Sequence, residues 1–362
     1  MKRPILLISL VFLANLTFAQ EDQGKSNPKA AAKNIILMIG DGMGVAQVHA
    51  GMISNKGPLN IERCKHIGFA KTFSEDHFIT DSGASGTAIA TGQKTYNGAI
   101  SVDMDSIPLK TILEYAEEYN KSTGLVATST ITHATPAAFI SHQASRNDYE
   151  DIAMDFMKTD TEVFIGGGLD HFNKRADSLD LTDSLKSKGY HLVYDMTEML
   201  THSSGKMAAL LYPGSPPKYS EGREIMLPLS IKMSLEILSQ DAEGFFLMVE
   251  GSQIDWAGHD NDIKYIVDEF LDFDRAVGLA LDFAEKDGNT LVIITADHET
   301  GGMGINGGDI SEGTVKAGFT SEGHTGVMVP VFAYGPAAEL FQGIYDNTGI
   351  FHKMMEAFGF SE

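Results

Sequence analysis

Three separate apolar runs in this chain end on an acidic residue, and that repetition constrains the fold more than any other feature. Ile35-Ile36-Leu37-Met38-Ile39-Gly40 runs into Asp41, Phe245-Phe246-Leu247-Met248-Val249 into Glu250, and Leu291-Val292-Ile293-Ile294-Thr295-Ala296 into Asp297-His298. Continuous rather than alternating hydrophobicity marks strands buried on both faces, as in parallel sheets. Residues 34–39, 124–127, 163–165, 245–249, 291–295 and 327–334 read this way, with helical patterning between them over 109–119, 152–158, 228–238 and 265–285. The alternation predicts an α/β fold, a central and mainly parallel sheet sandwiched by helices in three αβα layers. Ligands of such sheets bind beyond the carboxyl ends of the strands, so Asp41, Glu250 and Asp297 should converge on one rim. One acid after a strand is commonplace; three, one of them followed by His298, predict a polynuclear metal site.

Cysteine usage narrows the ligands. Cys64 is the single cysteine, so an intramolecular disulfide and a thiolate zinc site are both excluded, and any metal must be held by His and carboxylate. The formal charge of −22 argues against nucleic acid as a partner, because phosphate backbones are bound by Lys and Arg surfaces. An acidic protein that handles an anion would concentrate positive charge locally, and bound divalent cations do that. At the N-terminus, Lys2 and Arg3, the apolar stretch 5–13 and Thr17-Phe18-Ala19 read as an export signal over residues 1–19. The stretch is too short to span a bilayer and no later segment offers about twenty apolar residues, so no membrane anchor is expected. Residues 20–362 are expected to form one exported domain, periplasmic or extracellular.

The remaining chemistry lies in three segments. In Glu250 to His259, Asp255 and His259 are four apart and share a helix face if the segment is helical, so both can meet one cation; Asp255 as a helix-start charge and His259 as a surface residue is the plainer alternative. His324, in Gly323-His324-Thr325-Gly326, is a further candidate ligand. Oxygen and imidazole donors suit zinc, and an all-oxygen set suits magnesium. Asp81-Ser82-Gly83-Ala84-Ser85-Gly86 places a serine hydroxyl at the start of a helix built of small residues, where backbone N–H groups favour phosphate. Metal coordination would activate Ser82 as nucleophile; Ser85 is a rival one turn on, and Asp81 also fits an N-cap. Thr135, in His133-Ala134-Thr135-Pro136, offers a hydroxyl to a hard cation, and Arg146 offers a planar fork for two phosphate oxygens.

Taken in order from Asn34 to Pro336, the chain resembles the alkaline phosphatase family: Gly40-Asp41-Gly42-Met43-Gly44, Thr80-Asp81-Ser82, His133-Ala134-Thr135-Pro136, Gly166-Gly167-Gly168, Val249-Glu250-Gly251, Thr295-Ala296-Asp297-His298 and His324-Thr325-Gly326. The resemblance implies a first zinc site of Asp255, His259 and His324, a second of Asp41, Asp297 and His298 with Ser82, and a magnesium site of Asp41, Thr135 and Glu250. It makes Arg146 the phosphate clamp and implies two zinc ions and one magnesium per chain, with small phosphate monoesters as substrates and a homodimer as the assembly. Where some bacterial members carry Asp and Lys near the magnesium and the phosphate, this chain has His133 and Trp256. His133 is thus expected at the third site, which then takes magnesium or zinc, and Trp256 beside the phosphate. The implied reaction is hydrolysis at alkaline pH through a phosphoserine on Ser82. A phosphodiesterase or sulfatase of the same superfamily, and a non-catalytic exported metal- or phosphate-binding protein, are the competing readings. Only 25 residues separate His298 from His324, which leaves little room for the large surface insertion of some relatives.

Overall fold

Strand β1, Asn34–Gly40, is buried at every position, as a continuous apolar run should be when both faces of its sheet are covered. A computed structural model describes residues 32–361, and the proposed export signal lies outside the described residues. The other strands are β2 (His66–Lys71), β3 (Ser122–Thr130), β4 (Val163–Gly167), β5 (His191–Val193), β6 (Met207–Tyr212), β7 (Phe245–Gly251), β8 (Thr290–Thr295), β9 (Glu299–Thr300), β10 (Gly304–Asp309), β11 (Thr314–Gly318), β12 (His324–Thr325), β13 (Val329–Tyr334) and β14 (Gly343–Asp346). Ten of them form one sheet in the order β14-β2-β13-β8-β1-β7-β3-β4-β6-β5. The pairs from β8 across to β5 are all parallel.

Helices cover both faces. Helix α1 (Val45–Asn55) packs on the long α11 (Ile263–Asp287), which lies against β8, β1 and β7 beside α9 (Met226–Leu238). The other face carries α2 (Ser82–Thr91), α3 (Ile112–Glu118), α4 (Ala134–Ile140) and α12 (Thr348–Phe358). Helices α5 (Tyr149–Asp155), α6 (Leu169–Asn173), α7 (Leu181–Ser187) and α8 (Met196–Met199) accompany β4 to β6, and α10 (Gln253–His259) follows β7 directly. All ten residues of α2 are buried. Their small size is what lets α2 approach α4: a Cβ on Gly86 would lie 3.0 Å from the Ala138 Cβ, and one on Gly83 would lie 2.8 Å from the Ala99 carbonyl oxygen. None of the described helices is long and apolar enough to cross a membrane.

One expectation needs correction. The run at 327–334 is not a parallel strand: β13 begins at Val329 and is antiparallel to both β8 and β2. The reason is local. His324 stands at the rim where β8 ends, so the chain that leaves it after a three-residue link must run back down the sheet. Val327 and Met328, counted into the strand by their hydrophobicity, are exposed in that link.

Candidate active site

The central strands deliver their acids together. Register pairs Ile39 with Glu250 on one side and with Thr295 on the other, so Asp41, Glu250 and Asp297 emerge at the same edge. Strand β3, next to β7, leads through a turn into α4 with His133 as its N-cap and Thr135 in its first turn. Helix α10 carries Asp255 and His259 on one face, and the small pair β9/β12 carries His324 opposite Thr300. Facing them across the rim, Asp81 caps α2 by accepting from the Ala84 N–H, which fixes Ser82 as the first residue of that helix.

Three groups of side chains each bring potential ligand atoms within 4.8 Å of one another: Asp255, His259 and His324; Asp41, Asp297 and His298; and Asp41, His133 and Glu250. Asp41 belongs to two of them. The Ser82 hydroxyl lies 3.3 Å from His298 Nε2, and that nitrogen is 3.5 Å from Asp41 and 3.2 Å from Asp297. In the first group, His259 Nε2 and His324 Nε2 face each other at 3.2 Å. His259 and His324 each turn Nδ1 to a backbone carbonyl, of Glu322 and Thr80 respectively, and a carbonyl only accepts, so Nδ1 carries the proton there. With both rings neutral, the two Nε2 lone pairs would point at one another. That is repulsive between bare imidazoles and favourable around a shared cation. His298 follows the same logic: the Thr300 hydroxyl donates to Asp255 and is left to accept from His298 Nδ1 at 3.2 Å.

Buried polar atoms test whether a cation fits. Both oxygens of Asp41, one oxygen each of Asp297 and Glu250, the Thr135 hydroxyl and His133 Nδ1 are buried without a hydrogen-bond partner. Native interiors rarely leave so many such atoms in one place, and an unpaired buried carboxylate costs several kcal/mol or takes up a proton. Burial, reinforced by Asp297, Asp255 and Glu250, pushes the Asp41 carboxyl well above its ordinary value, and burial pushes Glu250 up to about 7. Burial holds His133 and His324 down to about 4, leaving the neutral imidazole that ligates metals. The hydrogen bond to Asp255 raises His259 to about 9, an attraction that a cation between them would replace. Divalent cations thus fit the donor set, and His133 rather than oxygen alone completes the third group.

Arg146 lies beside this cluster. One guanidinium nitrogen donates to Asp81 at 2.9 Å and another is 3.5 Å from His133 Nε2. Trp256, half-buried on α10, sets its ring edge-on to His133 with centroids 6.1 Å apart. Ser85 is not in the cluster: its hydroxyl donates to the Asp297 carbonyl at 2.7 Å and accepts from Asn347. Ser129, Ser252 and Thr300 also belong to the site, without a signal in the sequence. The two serines donate to Glu250, and Thr300 joins Asp255 to His298; single hydroxyls in ordinary surroundings carry no signal of that kind.

The chain is similar to known proteins over most of its length. The family model described as Alkaline phosphatase matches residues 32–315 and 310–360. "Alkaline phosphatase 3" of Bacillus subtilis is 35% identical, over 98% of this chain and 97% of that one. The solved alkaline phosphatase of the Antarctic bacterium TAB5 superimposes with a TM-score of 0.89 at 42% identity, over 92% of this chain and all of that one. A histidine-to-aspartate variant of the TAB5 enzyme, described with Mg bound in its M3 site, gives 0.88 at 42%, with the same coverage of both chains.

Proposed function

We propose, from the premise that this chain belongs to the alkaline phosphatase family and hydrolyses phosphate monoesters, that its reaction runs through a phosphoserine on Ser82. The observation that carries the reading is the position of the Ser82 hydroxyl, 3.3 Å from His298 Nε2 at the edge of a buried group of acids and imidazoles. Asp255, His259 and His324 would hold one zinc ion, and Asp41, Asp297 and His298, with Ser82, a second. Asp41, Glu250, Thr135 and His133 would hold the third ion, magnesium or zinc. Bound divalent ions supply the positive charge that lowers the pKa of a nearby hydroxyl and stabilises a leaving oxygen.

The protein groups do the rest. Ser82 gives up its proton and its Oγ attacks phosphorus; the Oγ–P bond forms as the ester P–O bond breaks, and the alcohol departs after taking a proton. Arg146 grips two of the equatorial phosphoryl oxygens through its planar fork, an electrostatic hold useful in both steps. Asp81 keeps that fork aimed by accepting a hydrogen bond from one of its nitrogens. Water then attacks from the opposite side, the Oγ–P bond breaks, inorganic phosphate leaves and Ser82 recovers a proton. Trp256, in place of a cation near the phosphate, leaves the product less tightly held. Residues 1–19 would direct export to the periplasm or beyond, and the working unit would be a homodimer.

Ser82→Ala tests the reading. Turnover of a nitrophenyl phosphate monoester should fall by a factor on the order of 10⁴ or more, with bound zinc unchanged; turnover that survives the loss of this hydroxyl would overturn it. A nitrophenyl diester assayed beside the monoester separates this activity from a phosphodiesterase.

A further inference from the structure

Behind the imidazoles sits a carboxylate that no step above uses. Glu299, 3% exposed, accepts four hydrogen bonds: from Gln47 Nε2 at 2.9 Å and the Met303 N–H at 3.0 Å on one oxygen, and from the Gly302 N–H at 3.2 Å and the Thr325 hydroxyl on the other. Among the described residues it forms no ion pair. Its donors come from α1, from the turn after β9 and from β12, and its Cγ approaches so closely that a Cβ on Gly44 would lie 2.4 Å from it. Three segments bearing proposed ligands therefore meet at this one side chain: the loop after Asp41, the strand after His298 and the strand that begins at His324.

The β9/β12 ladder has two residues per strand, pairing Thr300 with His324 and Glu299 with Thr325. Ladders this short are not self-supporting, and β12 returns only after the exposed β10–β11 hairpin. Yet the His298 and His324 rings stack with centroids 3.5 Å apart and planes at 19°, a geometry that demands a fixed register. We infer that Glu299 is a positioning residue for the metal cluster: by tying Thr325 and the 302–303 turn to α1, it locks β12 against β9 and so sets His324 at the distance from Asp255 and His259 that one cation needs. The inference rests on the proposed assignment of those three residues to a zinc site. It also explains the choice of a carboxylate, because a glutamine offers one acceptor oxygen where four donors converge.

The test uses zinc-loaded protein and reads zinc transfer to a chromogenic chelator, together with kcat, KM and the unfolding temperature. Glu299→Gln and Thr325→Val should each release one zinc ion about tenfold faster than the unaltered protein, and Glu299→Ala about a hundredfold faster, the range found for partners of metal ligands. The second zinc ion should leave within about twofold of its normal rate, with kcat reduced more than KM is raised. Thr325→Val removes a single hydroxyl and keeps the test alive if Glu299→Ala fails to fold. Normal zinc release from folded Thr325→Val and Glu299→Gln would overturn the inference, as would loss of both ions in step with a lowered unfolding temperature. A His324→Ala control separates the failures: if it loses one zinc ion while the other variants keep theirs, positioning is wrong; if it keeps both, the zinc assignment falls and the inference with it.

Discussion

At the residue scale, the site is marked by buried polar atoms that lack a hydrogen-bond partner, both oxygens of Asp41 and the Thr135 hydroxyl among them. Arg146 commits one nitrogen to Asp81, and in the proposed clamp the rest of its fork would meet the phosphoryl oxygens, so charge alone would not replace it. Arg146→Lys should lower kcat/KM about tenfold to a hundredfold and weaken inhibition by phosphate, since a lysine lacks the bidentate geometry; unchanged phosphate inhibition would remove Arg146 from the clamp. Trp256→Lys restores a cation beside His133 and should tighten inhibition by inorganic phosphate about tenfold, the worth of one charged hydrogen bond. An unaltered inhibition constant would count against it. The principal candidates were visible in the sequence because each follows a strand or opens a helix in a short distinctive motif. Thr300 was not, because it meets Asp255 only once β9 packs against α10; Ser252 was not, because a serine two residues after an acid at a strand end is too common to signal a partner.

At the element scale, hydrophobicity reports burial well in the central strands, fails at Val327 and Met328, and says nothing of direction. β1, β3, β4, β7 and β8 could be read from continuous apolar runs, whereas β13, equally apolar, runs the other way because of where His324 must stand. β6 escaped notice since Met207-Ala208-Ala209-Leu210-Leu211 is also good helix sequence, and β2, with alternating burial, carries too weak a pattern. Helix α2 has no periodicity to detect, all of it being buried. Where strands begin, the same burial creates a pH dependence. Glu162, ahead of β4, accepts from the Thr123 N–H at 2.7 Å, and burial pushes its carboxyl up to about 7. A carboxyl raised in the fold binds its proton there more tightly than in the unfolded chain, so its cost to stability grows as pH rises from its ordinary range to about 7. Glu162→Gln should therefore raise the unfolding temperature more at pH 8 than at pH 5; an equal gain at both would show that Glu162 titrates normally.

At the scale of the whole molecule, a −22 protein buries Asp41, Glu250, Asp255 and Asp297 at one rim and belongs to a family that hydrolyses anionic phosphate monoesters. Both facts are reconciled if cations are part of the folded state. A cation that binds only the folded chain, present at a hundred times its Kd, adds about 2.7 kcal/mol per site, so chelation should lower the unfolding temperature as well as stop turnover. The most direct measurement is a zinc titration of the chelated protein in saturating magnesium, following monoester turnover and bound zinc together. Turnover should be absent without zinc and should rise until two zinc ions are bound per chain. Full turnover in the chelated protein, or turnover restored with no zinc taken up, would contradict it.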